Sequence, residues 1–173
     1  MASYLVSDIR TLLAGDAWHG PAWTEVLQGI DAQLATRRVL PSVHTIHELV
    51  HHTAAWASEV AKRLGGKTPS MPDEGDWPQA NARIDEREWQ LVVERLTSAH
   101  DELLAAVERF DDARLDERIG TTRDAPLGSG VTYRATIAGL LAHTAYHAGQ
   151  AMLLRRAIES KGSDSIDTQR VPD

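Results

Sequence analysis

The chain has 173 residues, 42% of them hydrophobic and none of them cysteine, and its 25 Asp plus Glu against 18 Lys plus Arg give a formal net charge of -7. That length suits one well-buried core rather than two. The acidic balance, with no basic tract, argues against a nucleic-acid partner. Without cysteine there are no structural disulfides, thiolate ligands or cysteine nucleophiles, so any bound metal must accept N and O ligands from His, Asp and Glu. The first ten residues lack a basic stretch followed by an apolar block, and nowhere do about 18 apolar residues run together. The expectation is a cytoplasmic protein with no membrane partner.

Leu5, Ile9, Leu12 and Leu13 recur at helical spacing and predict a first helix over residues 4 to 14, which then meets Gly15, Gly20 and Pro21. Proline suits a first helical turn and not an interior, so the helix pauses and is rebuilt from Pro21, with Trp23, Val26, Leu27 and Ile30 continuing its apolar face. Residues 31 to 36 read as a short helical turn and 37 to 41 as an extended link. A second long helix opens near Ser42 or Thr45, where Glu48 stands three residues after Thr45 as in a capping box. Its inner stripe is Ile46, Leu49, Thr53, Trp56, Val60 and Leu64, and Gly65-Gly66 stops it. His52 lies on the edge of that stripe, whereas His47 and His51 are turned away by about 100° and are expected to face solvent.

Residues 65 to 82 contain three Pro, three Gly and several acids, and read as a loop pinned to the body by Trp77. A third helix is expected over 84 to 110, with Trp89, Val92, Leu96, Ala99, Leu103, Val107 and Phe110 facing inward and His100 beside them. From 111 to 132 the pattern weakens, and Pro126, Gly128 and Gly130 mark a second long loop. The last helix runs from about 133 to 159 and ends near Ser160-Lys161-Gly162. The domain therefore spans 1–162, with 163–173 as a flexible tail. Four helices of this length without a period-2 run predict an all-α four-helix bundle with long crossover loops.

Thr136, Leu140, His143, His147, Ala151, Leu154 and Ile158 form the inward stripe of the last helix, so His143 and His147 share its core face one turn apart. A lone buried histidine is more often a hydrogen-bonded core residue than a ligand. With His52 as third member from another helix, the three imidazoles suit one side of a divalent ion and leave positions open for water or substrate, which is a catalytic rather than a structural arrangement. A metal-bound water or thiol there would become a nucleophile near neutral pH. The pair reads His143-Thr144-Ala145-Tyr146-His147, without the glutamate of a zincin, and no Glu-x-x-His repeat suggests a di-iron site.

His100 is a minor candidate for a fourth ligand, with hydrogen bonding in the core as its other role. Gln150 stands one turn beyond His147 and is placed to bond a ligand or to join helices. Tyr146 is rotated off the ligand face, Gly149 either permits a close helix approach or is merely tolerated, and Glu48 serves the cap before any role in orienting His52. Trp56, with Trp18 or Trp23, can wall a cavity beside the metal, core packing being the weightier role for Trp56 and Trp23.

Two blocks, Ile46-His47-Glu48-Leu49-Val50-His51-His52-Thr53-Ala54-Ala55-Trp56 and Leu140-Leu141-Ala142-His143-Thr144-Ala145-Tyr146-His147-Ala148-Gly149-Gln150, resemble the signature blocks of the DinB-like superfamily. The resemblance extends from the first helix with Trp23 through Asp76-Trp77-Pro78 and Trp89 to Gln150. It implies a four-helix bundle of up-down-down-up connectivity, a homodimer, and a metal held by His52, His143 and His147. It also implies a metal among nickel, zinc, iron and manganese. Relatives of this kind include S-transferases that use a low-molecular-weight thiol, isomerases and hydrolases. The resulting expectation is a metal-dependent enzyme acting on a small-molecule substrate, a thiol-dependent S-transferase first and a hydrolase second. A non-catalytic, stress-related metal- or ligand-binding bundle is the rival.

Overall fold

The computed structural model describes residues 2–15, 17–80, 83–120 and 127–167, with backbone alone for residues 2, 3 and 161–167. Six α-helices follow one another: α1 (Ala2–Leu13), α2 (Trp23–Leu27), α3 (Ala32–Thr36), α4 (Ile46–Leu64), α5 (Glu86–Glu108) and α6 (Tyr133–Asp167). A single 3-10 turn, Asp112–Arg114, follows α5. The four long helices form the bundle. Helix α4 packs on α5 and α6, and α1 packs on the same two helices. Among the described residues the only β pairing is an isolated antiparallel bridge between Arg118 and Thr132, which ties the second long connection to itself.

Local chemistry sets the helix starts. The Thr45 hydroxyl accepts from the Glu48 amide at 3.2 Å while the Glu48 carboxylate accepts from the Thr45 amide at 3.0 Å, a complete capping box that starts α4 at Ile46. Asp85 and Glu88 repeat the device at the start of α5, with both bonds at 2.8 Å. Helix α4 ends at Gly65-Gly66, where Gly66 has φ +99, a conformation that a side chain would strain.

Two apolar clusters fill the bundle. One joins Ile46, Leu49 and Val50 of α4 to Trp89 and Leu96 of α5, Leu154 and Ile158 of α6, and Trp23 and Val26 of α2. The other joins Val60 and Leu64 of α4 to Leu103 and Val107 of α5, Tyr133, Ile137 and Leu140 of α6, and Ile9 of α1. Each large side chain buried here contributes roughly 1.5–3 kcal/mol. No helix among the described residues is long and apolar enough to cross a membrane.

Three sequence-based expectations need correction. His47 is buried rather than facing solvent, at 5% exposure, and His51 is partly buried. Because α4 touches both α5 and α6, the one-sided pattern of a surface helix does not apply to it, and even Glu48, Glu59 and Arg63 are enclosed. Trp18 is fully exposed and does not border the cavity beside His143, while Trp23 is a core residue. Helix α6 does not end near Ser160-Lys161-Gly162 but runs on to Asp167. One glycine in an exposed helix costs only about 1 kcal/mol, too little to end a helix of this length. Pro126, expected to mark the second loop, and residues 168–173 of the expected tail lie outside the described residues.

Candidate metal centre

Three elements meet at the centre. Helix α4 presents His52 two turns after its cap, α6 presents His143 and His147 one turn apart, and the connection between α4 and α5 crosses over His52. That connection turns at Gly75, with φ +85, and delivers Asp76 and Trp77. The His52 Nδ1–H donates to the Asp76 carbonyl oxygen at 2.7 Å, and the Asp76 Oδ1 lies 3.1 Å from the same nitrogen. Asp76 Oδ1 also accepts from the Trp56 indole N–H at 2.7 Å. The Trp77 ring stacks on His52 at 3.8 Å between centroids, and on His44 at 3.6 Å. Trp77 thus pins its loop by sandwich contacts that also lock the His52 ring plane.

With its Nδ1 proton directed at Asp76, His52 turns Nε2 inward. His52 Nε2 lies 2.9 Å from His143 Nε2, and His147 Nε2 lies 3.0 Å from that same atom. The Nδ1–H of His147 donates to Gln150 Oε1 at 2.7 Å, so its Nε2 also points inward with a lone pair. Ligand nitrogens of the three residues all lie within 4.8 Å of one another. Burial, the largest cause in each case, lowers the pKa of all three imidazoles below the ordinary value. For His143, burial and the neighbouring His147 and His52 bring it down to about 4. All three rings are therefore neutral near pH 7, the state a metal requires.

Protein groups alone do not satisfy this arrangement. His52 and His147 have both committed their protons to Nδ1, so each offers an Nε2 lone pair toward His143. His143 Nε2 can carry one proton, which cannot serve two acceptors fully. An electrophile shared by three nitrogens resolves the conflict, and an all-imidazole donor set suits zinc, copper, iron or nickel better than the oxygen-preferring manganese. Nitrogens bound to one ion at about 2.0–2.1 Å would stand about 2.9 Å apart at right angles and about 3.4 Å apart at tetrahedral angles. The observed separations of 2.9 and 3.0 Å fit that range.

The remaining sequence candidates separate clearly. Trp56 stands with its ring centroid 6.4 Å from that of His52 and borders a cavity next to His143. Gln150 reaches the centre through His147. His100 is buried, bonds the Leu96 carbonyl through Nδ1 at 2.9 Å and stays outside the cluster. Glu48 caps α4 and meets His44 Nδ1 at 3.0 Å, so the imidazole it orients is His44. Tyr146 is 62% exposed. A Cβ on Gly149 would meet nothing within 4 Å, so no close helix approach requires this glycine. Asp76 is the residue that sequence reasoning missed. The available signal was an acid inside a long connection of a compact bundle, where such loops are usually functional.

No curated protein matches the chain. A crystal structure of a conserved protein from Enterococcus faecalis is similar, with a TM-score of 0.64 and 18% identity, over 92% of this chain and 95% of that one. That likeness is one of fold. The family model described as DinB superfamily matches residues 17–151, a span that includes all three histidines, Asp76 and Gln150. The chain belongs to the DinB superfamily.

Proposed function

We propose that the protein is a metal-dependent enzyme in which His52, His143 and His147 hold a divalent ion, with thiol-dependent S-transfer to a small-molecule substrate as its reaction. The observation that carries the reading is the convergence of three neutral imidazoles at 2.9 and 3.0 Å with too few protons to satisfy one another. A bound ion supplies Lewis acidity, lowering the pKa of a coordinated thiol or water toward neutrality. Asp76 and Gln150 keep the proton of their histidine on Nδ1, and Trp77 covers the His52 ring. Trp56 and Gln150 complete the site, Trp56 as a wall against the substrate and Gln150 through the ring it holds. The apolar lining next to His143 favours a thiol and its organic partner over water as reactants.

Connectivity and assembly belong to the same reading. Up-down-down-up order is supported by the way α4 and α5 both pass from the Trp23 cluster to the Ile9 cluster while α6 passes back. A homodimer is supported by Tyr146 and Leu153, exposed at 62% and 68% on the outer side of α6.

The test begins with metal content in protein isolated without a metal-affinity step, followed by reconstitution with Ni²⁺, Zn²⁺ or Co²⁺. One ion per chain is expected, lost in His147→Ala. Neither native metal nor uptake would sink the enzyme reading. In the Co²⁺-loaded protein, small thiols should produce a thiolate charge-transfer band. Ester cleavage without that band would select the hydrolase alternative, and neither activity would select the non-catalytic bundle.

A further inference from the structure

We infer that the cavity between α4 and α6 beside His143 is a slot for the uncharged, apolar body of a small molecule whose donor atom reaches the histidine centre. This deepens the metal-enzyme reading and rests on it only for the role of the donor atom. The cavity has a volume of about 350 Å³ and shares His143 with the centre. That size falls at the lower end of small-molecule sites, which run from about 300 to 1,000 Å³.

Its walls are hydrocarbon: the Trp56 ring and Val60 on one side, Leu127 and Val131 from the second connection, and Leu140 on α6. The polar groups that border it are already engaged. The Trp56 N–H is held by Asp76 at 2.7 Å, so the indole offers the slot its apolar ring. Thr136 donates its hydroxyl to the Thr132 carbonyl at 3.0 Å.

Arg63 is the decisive residue for charge. Its side chain is only 2% exposed and pairs with the fully enclosed Glu59 at 3.0 Å. Its Nη1 and Nη2 donate to the carbonyl oxygens of Leu127 at 2.6 Å and Ser70 at 2.9 Å. Arg63 therefore clamps both long connections to α4, and its guanidinium donors are engaged within the protein, with Glu59 shared between Arg63 and Lys67, the latter at 2.8 Å. Among the described residues that line the slot, an anionic ligand would lose its water without gaining a cation not already bonded within the protein, whereas an apolar body loses nothing by leaving water. Access is provided by Gly139, where a Cβ would meet no atom within 4 Å. The described apolar walls thus favour a neutral hydrophobic group, and the unsatisfied imidazole nitrogens next to the slot select a donor atom at its end.

Calorimetric titration of the purified full-length protein with 2-naphthalenemethanol and with 2-naphthalenesulfonate tests the slot, with metal content measured on the same sample. The alcohol is expected to bind at least about tenfold more tightly than the sulfonate. Gly139→Phe, which places a ring in the mouth, should weaken the alcohol by at least about tenfold, while Ser98→Phe on the outer face of α5 leaves it unchanged. Gly139→Phe should still take up metal, which separates a blocked slot from a damaged fold. Sulfonate binding as tight as that of the alcohol, no saturable binding of the alcohol, or full binding by Gly139→Phe would overturn the inference. Alcohol binding without any metal uptake would leave the slot standing and remove the metal-enzyme reading. Metal uptake without alcohol binding would do the reverse.

Discussion

Helix α4 and helix α6 each carry a pair of histidines one turn apart, His47 with His51 and His143 with His147, and the two pairs meet different surroundings. On α6 both rings face His52 across the bundle, and the Nδ1 of His147 is tied outward to Gln150. On α4 the ring of His47 lies 6.5 Å from that of Trp89 in a tilted contact, and His51 Nδ1 is buried with no hydrogen-bond partner among the described residues. The α4 pair joins no group of metal-binding geometry there. Spacing alone therefore does not make a centre. A third imidazole from another helix brings the α6 pair into a group of metal-binding geometry, with outward acceptors on His52 and His147 that leave Nε2 free.

The largest effect expected from this contrast is on metal affinity. His143→Ala or His147→Ala should weaken Zn²⁺ or Ni²⁺ binding by at least about 100-fold, while His47→Ala and His51→Ala change it by less than about threefold. Titration with a competing chelator reads both, and equal losses from the two pairs would erase the distinction. Gln150→Leu removes the acceptor that orients His147 and should cost about 10–100-fold in affinity. Unchanged affinity in that variant would mean that the bond is incidental.

Acid should act next. A histidine whose folded pKa is depressed binds its proton more readily in the unfolded chain, so stability is lost as pH falls below the unfolded value. For His143 that window runs from its ordinary 6.5 down to about 4. His47 and His51 are also lowered, first by burial, and act with the same sign. Urea midpoints of the metal-free protein should therefore fall across this window, and His143→Gln should flatten the fall. A midpoint that is level or rises on acidification would contradict the neutral, buried centre. The smallest effect belongs to His51→Leu, which replaces an unsatisfied polar edge with hydrocarbon and should shift stability by no more than about 1 kcal/mol in either direction. A loss of several kcal/mol in a denaturation curve would show that His51 holds a bond of its own.

Much of this arrangement was legible because it depends on short spacings. The Thr45 and Glu48 cap, the Gly65-Gly66 stop and the inward stripes of α5 and α6 are local patterns, and they placed His52, His143 and His147 on faces that meet. The burial of His47 was not legible, since helical periodicity identifies one core face and α4 has neighbours on two sides. Asp76 was hidden for a different reason. Its carbonyl reaches a histidine 24 residues earlier through a loop whose course no periodicity describes. Arg63 was equally silent, because a basic residue in the last turn of a helix ordinarily reads as solvated.

X-ray absorption spectroscopy of the protein reconstituted with one equivalent of Zn²⁺ or Ni²⁺ tests the central claim most directly. The account predicts three imidazole nitrogens at about 2.0–2.1 Å, completed by light atoms that a small thiol replaces with sulfur, and loss of one imidazole in His143→Ala. A first shell with fewer than three imidazoles, or a spectrum unchanged by His143→Ala, would contradict it.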